Sequence, residues 1–211
     1  MDEDPAVGEA LREFVVAAGN GDVDAMWGLL TATSQEQLGP TQEEFADELG
    51  ADLQRGLGSF AGTGFDTVLS LRTDSGFGVA AIAGARERDG RDEYAAYGTA
   101  LRREDGAWRV ELGGPVELAA NAPPRSTTDR RPAIQFEIVA GAPVDEAGVW
   151  LDGAPLPANA QSRADAVTVV SRPEAPLAPG WHVLVLFGRA GDAATAGARP
   201  FLVEGEEGPA V

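Results

Sequence analysis

Hydrophobic positions recur at helical spacing through the first third of the chain. They alternate from Asp66 to Leu112, and alternate again in short runs after Ile134. Asp4 offers an N-cap and Pro5 the favoured first helical position, and Val7, Ala10, Leu11, Phe14, Val15 and Ala18 then form one face up to Gly19 and the Asn20-Gly21 turn. Asp22 opens a second helix with Val23, Met26, Trp27 and Leu30 on one side. Thr41-Gln42-Glu43-Glu44 is a capping box that starts a third, carrying Phe45, Leu49 and Leu53.

The stretch from Asp66 to Leu112 predicts a four-strand antiparallel meander. Its turns are Ser75-Gly76, Asp89-Gly90 and Asp105-Gly106. Read as two-residue loops, they pair Leu71 with Ala80, Leu69 with Ile82, Ile82 with Tyr97, Arg86 with Glu93 and Leu101 with Val110. One face then holds Leu69, Leu71, Ala80, Ile82, Tyr97, Thr99, Leu101, Trp108, Val110 and Leu112, and should meet the three helices. The opposite face carries Phe77, Val79, Ala81, Ala83, Ala85, Tyr94 and Ala96, which is small and apolar where a solvated face would be polar. Such a patch marks a contact surface, either a homodimer interface or a docking face for the C-terminal part of the chain.

Residues 114–132, with Gly114-Pro115 and Pro123-Pro124, read as an interdomain linker. Beyond them Ile134/Phe136/Ile138, Val149-Trp150-Leu151, Val167–Val170, Trp181–Phe187 and Phe201-Leu202-Val203 predict short strands, the pattern of a small β-sandwich over 133–204. Residues 205–211 read as a disordered acidic tail.

Composition narrows the chemistry. The chain has 211 residues and a formal net charge of −18, so nucleic acid and anionic membranes are excluded as electrostatic partners. Every basic residue is Arg, which removes Schiff-base and P-loop lysine chemistry. There is no Cys and one His, His182, so neither a thiolate nor a multi-histidine metal site is available. His182 is expected on a half-exposed strand face. No metal and no cofactor is expected. No apolar run approaches the roughly 20 residues of a membrane helix, so no transmembrane segment is expected. The Gly56–Ala61 stretch fits a loose G-x-G-x-x-A pattern, but a helix precedes it and a strand follows, so it reads as a connector or pocket lip.

The order of three helices, Gly-rich loop and bent sheet resembles the nuclear transport factor 2-like (ketosteroid-isomerase-like) cone family over residues 4–113. The resemblance is carried by Phe14-Val15, Gly19-Asn20-Gly21-Asp22, Met26-Trp27-Gly28-Leu29-Leu30 and the closing Gly106-Ala107-Trp108-Arg109-Val110. The run Leu177–Val185 is similar to the penultimate hairpin of bacterial Ig-like modules. The expected fold is therefore an α+β cone, three helices on a strongly bent antiparallel sheet, followed by a small all-β Ig-like sandwich.

The family places a pocket between helices and sheet. Here Trp27, Phe45, Leu69, Tyr97, Thr99 and Trp108 would line it, with Asp66 and Tyr97 as the acid–base candidates. Two functions follow. The first is a non-catalytic binding or scaffolding protein, exported or surface-tethered after loss of a leader, contacting protein through the outer sheet face and the Ig-like module. The second is a carrier or isomerase/dehydratase-like enzyme for a small apolar ligand. A cytoplasmic location stays open beside the exported one.

Overall fold

The computed structural model describes residues 1–38, 41–47, 53, 56–57, 60, 64–88, 91–163 and 166–205, without the side chains of 86–88 and 91–92. It is a mixed α+β structure with few helices and several antiparallel sheets. Among the described residues, no helix is long and apolar enough to cross a membrane.

Helix α1 (Pro5–Asn20) starts where the Asp4 carboxylate accepts the Ala6 N–H at 3.2 Å, and closes at left-handed Gly21 (φ 69°) rather than at Gly19. Helix α2 (Val23–Gly28) is capped by Asp22, whose carboxylate accepts the Ala25 N–H at 3.0 Å. A helix not expected from the pattern, α3 (Ala32–Leu38), follows, so the described residues add a helix to the expected three. Its start is fixed by Thr31, whose hydroxyl accepts the Ser34 N–H and whose carbonyl accepts the Gln35 N–H. Helix α4 (Gln42–Phe45) carries the capping box of Thr41 and Glu44. Leu49 and residues 58–59 and 61–63 of the glycine-rich stretch lie outside the described residues. Leu57 and Phe60 of that stretch are buried among the helices.

The first sheet runs in the order β1 (Asp2–Glu3), β2 (Asp66–Arg72), β3 (Gly78–Arg88), β4 (Arg91–Glu104), β5 (Ala107–Glu111). The β3–β4 and β4–β5 registers pair Ile82 with Tyr97, Arg86 with Glu93 and Leu101 with Val110. The Asp89-Gly90 turn lies outside the described residues.

The β2–β3 register differs from the expected one. Leu71 pairs with Val79 and Ser70 with Ala80. The turn is a three-residue loop, Asp74-Ser75-Gly76, with Gly76 left-handed (φ 88°) and the Thr73 hydroxyl accepting the Phe77 N–H at 3.1 Å. One extra loop residue inverts the strand. Leu69 and Leu71 therefore lie on the face away from the helices, and Ser70 and Thr67 face Gly8 of α1. A bulge at Val68 separates the Thr67–Ile82 and Leu69–Ala81 pairs.

The segment expected as a linker is structural. Strand β6 (Val116–Ala122) pairs with β8 (Ile134–Ala140), and β7 (Ser126–Thr127) pairs in parallel with β14 (Ala193–Val203). Its Gly and Pro residues bound strands instead of interrupting structure. Two further sheets result, β10 (Ala154–Pro155)–β9 (Glu146–Leu151)–β13 (Gly180–Ala190)–β14–β7 and β11 (Ala158–Arg163)–β12 (Ala166–Ser171)–β8–β6. They bury Leu184, Leu186, Val149, Leu151, Phe201 and Val203 against Ile134, Phe136, Ile138, Val167 and Val169. Residues 206–211 of the expected tail lie outside the described residues.

The layers stack as helices, first sheet, second sheet, third sheet. The helical face of the first sheet buries Ala80, Ile82, Leu101 and Val110 under Val7, Leu11, Phe14 and Met26. Its other face packs Leu69, Leu71, Phe77, Val79, Ala81 and Ala83 against Trp150, Val183, Val185, Phe187 and Ala194. The face left open to a second copy or to the C-terminal part is covered by the C-terminal part. Within it, a Cβ placed on Gly98 would lie 3.0 Å from the backbone of Gly197 and Ala198.

Gly98→Val should therefore destabilise the whole chain by about 1–3 kcal/mol in urea unfolding. Gly114→Ala, with open space around it, should stay within about 0.5 kcal/mol.

Candidate functional site

Tyr97 pairs with Ile82 and packs half-buried against the helix-side core, while Asp66 pairs with Ala83 on the opposite face and is exposed. Residues opposite one another on neighbouring strands share a face. The two acid–base candidates are thus separated by the sheet. Burial pushes the Tyr97 phenol up to about 12, against a hydrogen bond with Thr99 that acts the other way. The Thr99 hydroxyl is itself shared between the Ala100 and Glu111 carbonyls at 3.2 and 3.1 Å.

The remaining expected pocket residues divide. Trp27 meets Phe45 with ring centroids 5.3 Å apart, and Trp108 packs in the same cluster. Leu69 belongs to the seam between the sheets, because the β2 register carries it there.

The expected interface set also divides. Phe77, Val79, Ala81 and Ala83 are buried in the seam, Tyr94 and Ala96 are partly buried beside them, and Ala85 is exposed.

The polar groups of the seam lie at its margins. Tyr94 stacks on Trp181 at 5.4 Å and 21°, with Trp181 41% exposed. Partial burial, then the carboxylates of Asp152 and Asp66, raises the Tyr94 phenol above its ordinary value. Ser75 donates to Glu146 at 2.5 Å, joining the β2–β3 loop to β9. Arg102 bonds Glu111 at 3.2 and 3.4 Å, donates to the Asp192 carbonyl, and lies over the Phe77 ring. Arg125 pairs with Glu93.

His182 is buried, contrary to the half-exposed face expected, because its sheet is covered on both sides. Its Nδ1 meets the Asp152 carboxylate at 2.7 Å and its Nε2 meets the Ala178 carbonyl at 2.9 Å. Both ring nitrogens are spent on acceptors, so the ring clips the Asp152-Gly153 turn to the residue-178 loop. Neither nitrogen is left facing a substrate or metal site. Among the described residues, no group of three or more His, Cys, Asp or Glu is placed to hold a metal ion.

The Asp152-Gly153 turn has a second effect. Asp152 and Gly153 are both left-handed (φ 52° and 82°), and a Cβ on Gly153 would lie 2.7 Å from the Val68 carbonyl. The turn thus leans on the bulge of β2. Beside it opens a cleft of about 730 Å³ between α1, β1–β2 and β9–β10. Leu69, Leu71, Trp150 and Pro155 give it apolar walls, and Asp2, Glu3 and Glu9 stand at its rim. This volume lies within the range of ligand-binding clefts.

Sequence reasoning missed this site. Its walls come from three distant stretches, within residues 1–9, 67–71 and 150–155, and only the inverted β2 register turns Leu69 and Leu71 toward Trp150. Comparison with models of known protein families and with curated protein sequences finds no match.

A phenol whose folded value exceeds its ordinary 10.0 contributes stability that is complete below pH 10 and is lost as pH rises through about 12. Urea midpoints of the native chain should therefore fall across that window. Tyr97→Phe should flatten the fall.

Proposed function

We propose that this chain is a non-catalytic binding protein that acts as one rigid body and takes its ligand at the cleft between its N- and C-terminal parts. The observation that carries this reading is the joining of two functionally mute layers into one seam with a cleft at its margin. The acid–base candidates Asp66 and Tyr97 lie on opposite faces of their sheet, and His182 has both nitrogens engaged. The cone-like first part and the Ig-like second part are proposed as the architectural class. Helices packed on one face of an antiparallel meander and the face-to-face C-terminal sheets support it.

A scaffold of this kind needs rigidity at the junction. The seam residues Val79, Ala81, Val185 and Phe187 are fully buried, and such burial is what distinguishes a permanent contact from a hinge. An export destination is part of the proposal, motivated by the resemblance of Leu177–Val185 to the hairpin of bacterial Ig-like modules.

The test combines calorimetry with a ligand screen. One unfolding transition should be seen for the whole chain, with calorimetric and van't Hoff enthalpies equal. A bound ligand should raise Tm in a saturable way and be recovered chemically unchanged. Two separate transitions would break the rigid-body reading, and conversion of the ligand would break the non-catalytic one.

A further inference from the structure

We infer that the cleft between β2 and the β9–β10 turn receives a basic, partly apolar peptide segment of a partner protein. This rests on the binding reading above and adds the class of ligand.

Three features of the cleft converge on that class. The first is charge. The ionisable side chains of the wall are Asp2, Glu3 and Glu9, and no arginine lines it. Two arginines touch residues of the wall, so the charge of the cleft rests on Glu3 and Glu9 more than on Asp2. Arg12 donates to Thr67 at 3.3 Å and lies over the Phe65 ring, and Arg72 stands 3.8 Å from Asp2. The Met1 ammonium is taken by Asp74 at 2.6 Å. Asp66 and Asp152, close enough to perturb Tyr94, extend the same sign of field along the seam. A cation approaching from solvent meets the carboxylates of the β1–α1 side of the opening, within a chain of net charge −18.

The second feature is the apolar wall. Leu69, Leu71, Trp150 and Pro155 present hydrocarbon and an indole, which suit the aliphatic stem of an arginine or lysine and a neighbouring apolar side chain. A bare metal ion or a polyamine alone would leave that wall unused.

The third is backbone. Strand β1 pairs with β2 only at Arg72 and Leu71, and Asp4 then bonds Ser70. Among the described residues, no strand pairs with Thr67–Leu69 on the edge opposite β3, so an extended segment meets main-chain groups there as well as side chains.

The probe is an N-acetylated, C-amidated hexapeptide of alternating Arg and Val, titrated calorimetrically into the full chain. Parallel titrations use Ser–Val and Glu–Val hexapeptides. One-to-one saturable binding of the Arg–Val peptide is expected, with the Ser–Val peptide at least tenfold weaker. Glu3→Gln with Glu9→Gln should weaken binding at least fivefold. The equally charged control, Glu36→Gln with Glu174→Gln, removes two exposed carboxylates that do not line the cleft and should change it less than twofold. Pro155→Arg, at an exposed wall position, should abolish binding while circular dichroism stays native.

Equal weakening by both pairs would reduce the effect to diffuse attraction by an acidic protein and overturn the assignment. Binding of the Ser–Val or Glu–Val peptide as tight as that of the Arg–Val peptide, and blocked by Pro155→Arg, would overturn the ligand class and leave the cleft as the binding site. If no peptide saturates, the proposal fails, and the screen of the preceding section decides separately whether the binding reading fails with it.

Discussion

The constraint on which the molecule depends is that its first sheet is apolar on both faces. A sheet with one wet face needs one cover. This one needs two, and the helices supply only the first. The second cover is β13 with its neighbours β9 and β14, and it must itself be apolar on both sides, because its far face holds the third sheet. That is why Val183-Leu184-Val185-Leu186-Phe187 is a continuous run with no polar alternation, as in strands buried on both faces. Full burial of each such side chain is worth about 1.5–3 kcal/mol. The small residues of β14 follow from the same constraint, since Ala194, Ala196 and Ala198 let its backbone approach Gly98.

Much of this was legible in local pattern. Caps and spacing placed α1, α2 and α4. Two-residue turns set β3–β4–β5, and apolar runs marked β8, β9, β12 and β13. The failures have physical causes. Strand β2 carries Val68, Leu69 and Leu71, which fit either face, so its register was left to the turn. Asp74-Ser75-Gly76 resembles a two-residue loop until the left-handed Gly76 and the Thr73 hydroxyl are seen to close a longer one. Strands β6 and β11 escaped because Val-Glu-Leu-Ala-Ala-Asn-Ala and Ala-Asn-Ala-Gln-Ser-Arg carry little apolar signal. They are held by their ladders to β8 and β12. Helix α3 escaped because Thr31 and Ser34 starting a helix look like loop residues in sequence.

The candidate site was less legible than the fold. Residue types can be read locally, but the face on which each one lies depends on register. A single loop residue moved Leu69 out of the helix-side pocket and into the seam. His182 shows the same dependence. Alternation alone placed it on a half-exposed face, and a third layer that no local pattern reveals covers that face.

The polar contacts of the seam set alignment more than they supply adhesion. Burial raises the Glu111 carboxyl above its ordinary value even with Arg102 beside it, so desolvation outweighs the attraction of its partner. Such a pair contributes little net stability, and breaking it leaves a buried charge. The Ala-rich faces it borders are smooth, and alanine on alanine would tolerate several offsets at similar cost. Ser75 to Glu146, Arg102 to Asp192, Arg125 to Glu93 and Tyr94 on Trp181 tie four separate points of the margin. An offset that lost them would strand carboxylates and guanidinium groups against hydrocarbon. The apolar area therefore holds the sheets together, and the polar margin selects one alignment. That alignment is the one that sets the Asp152-Gly153 turn against the β2 bulge and opens the cleft beside it.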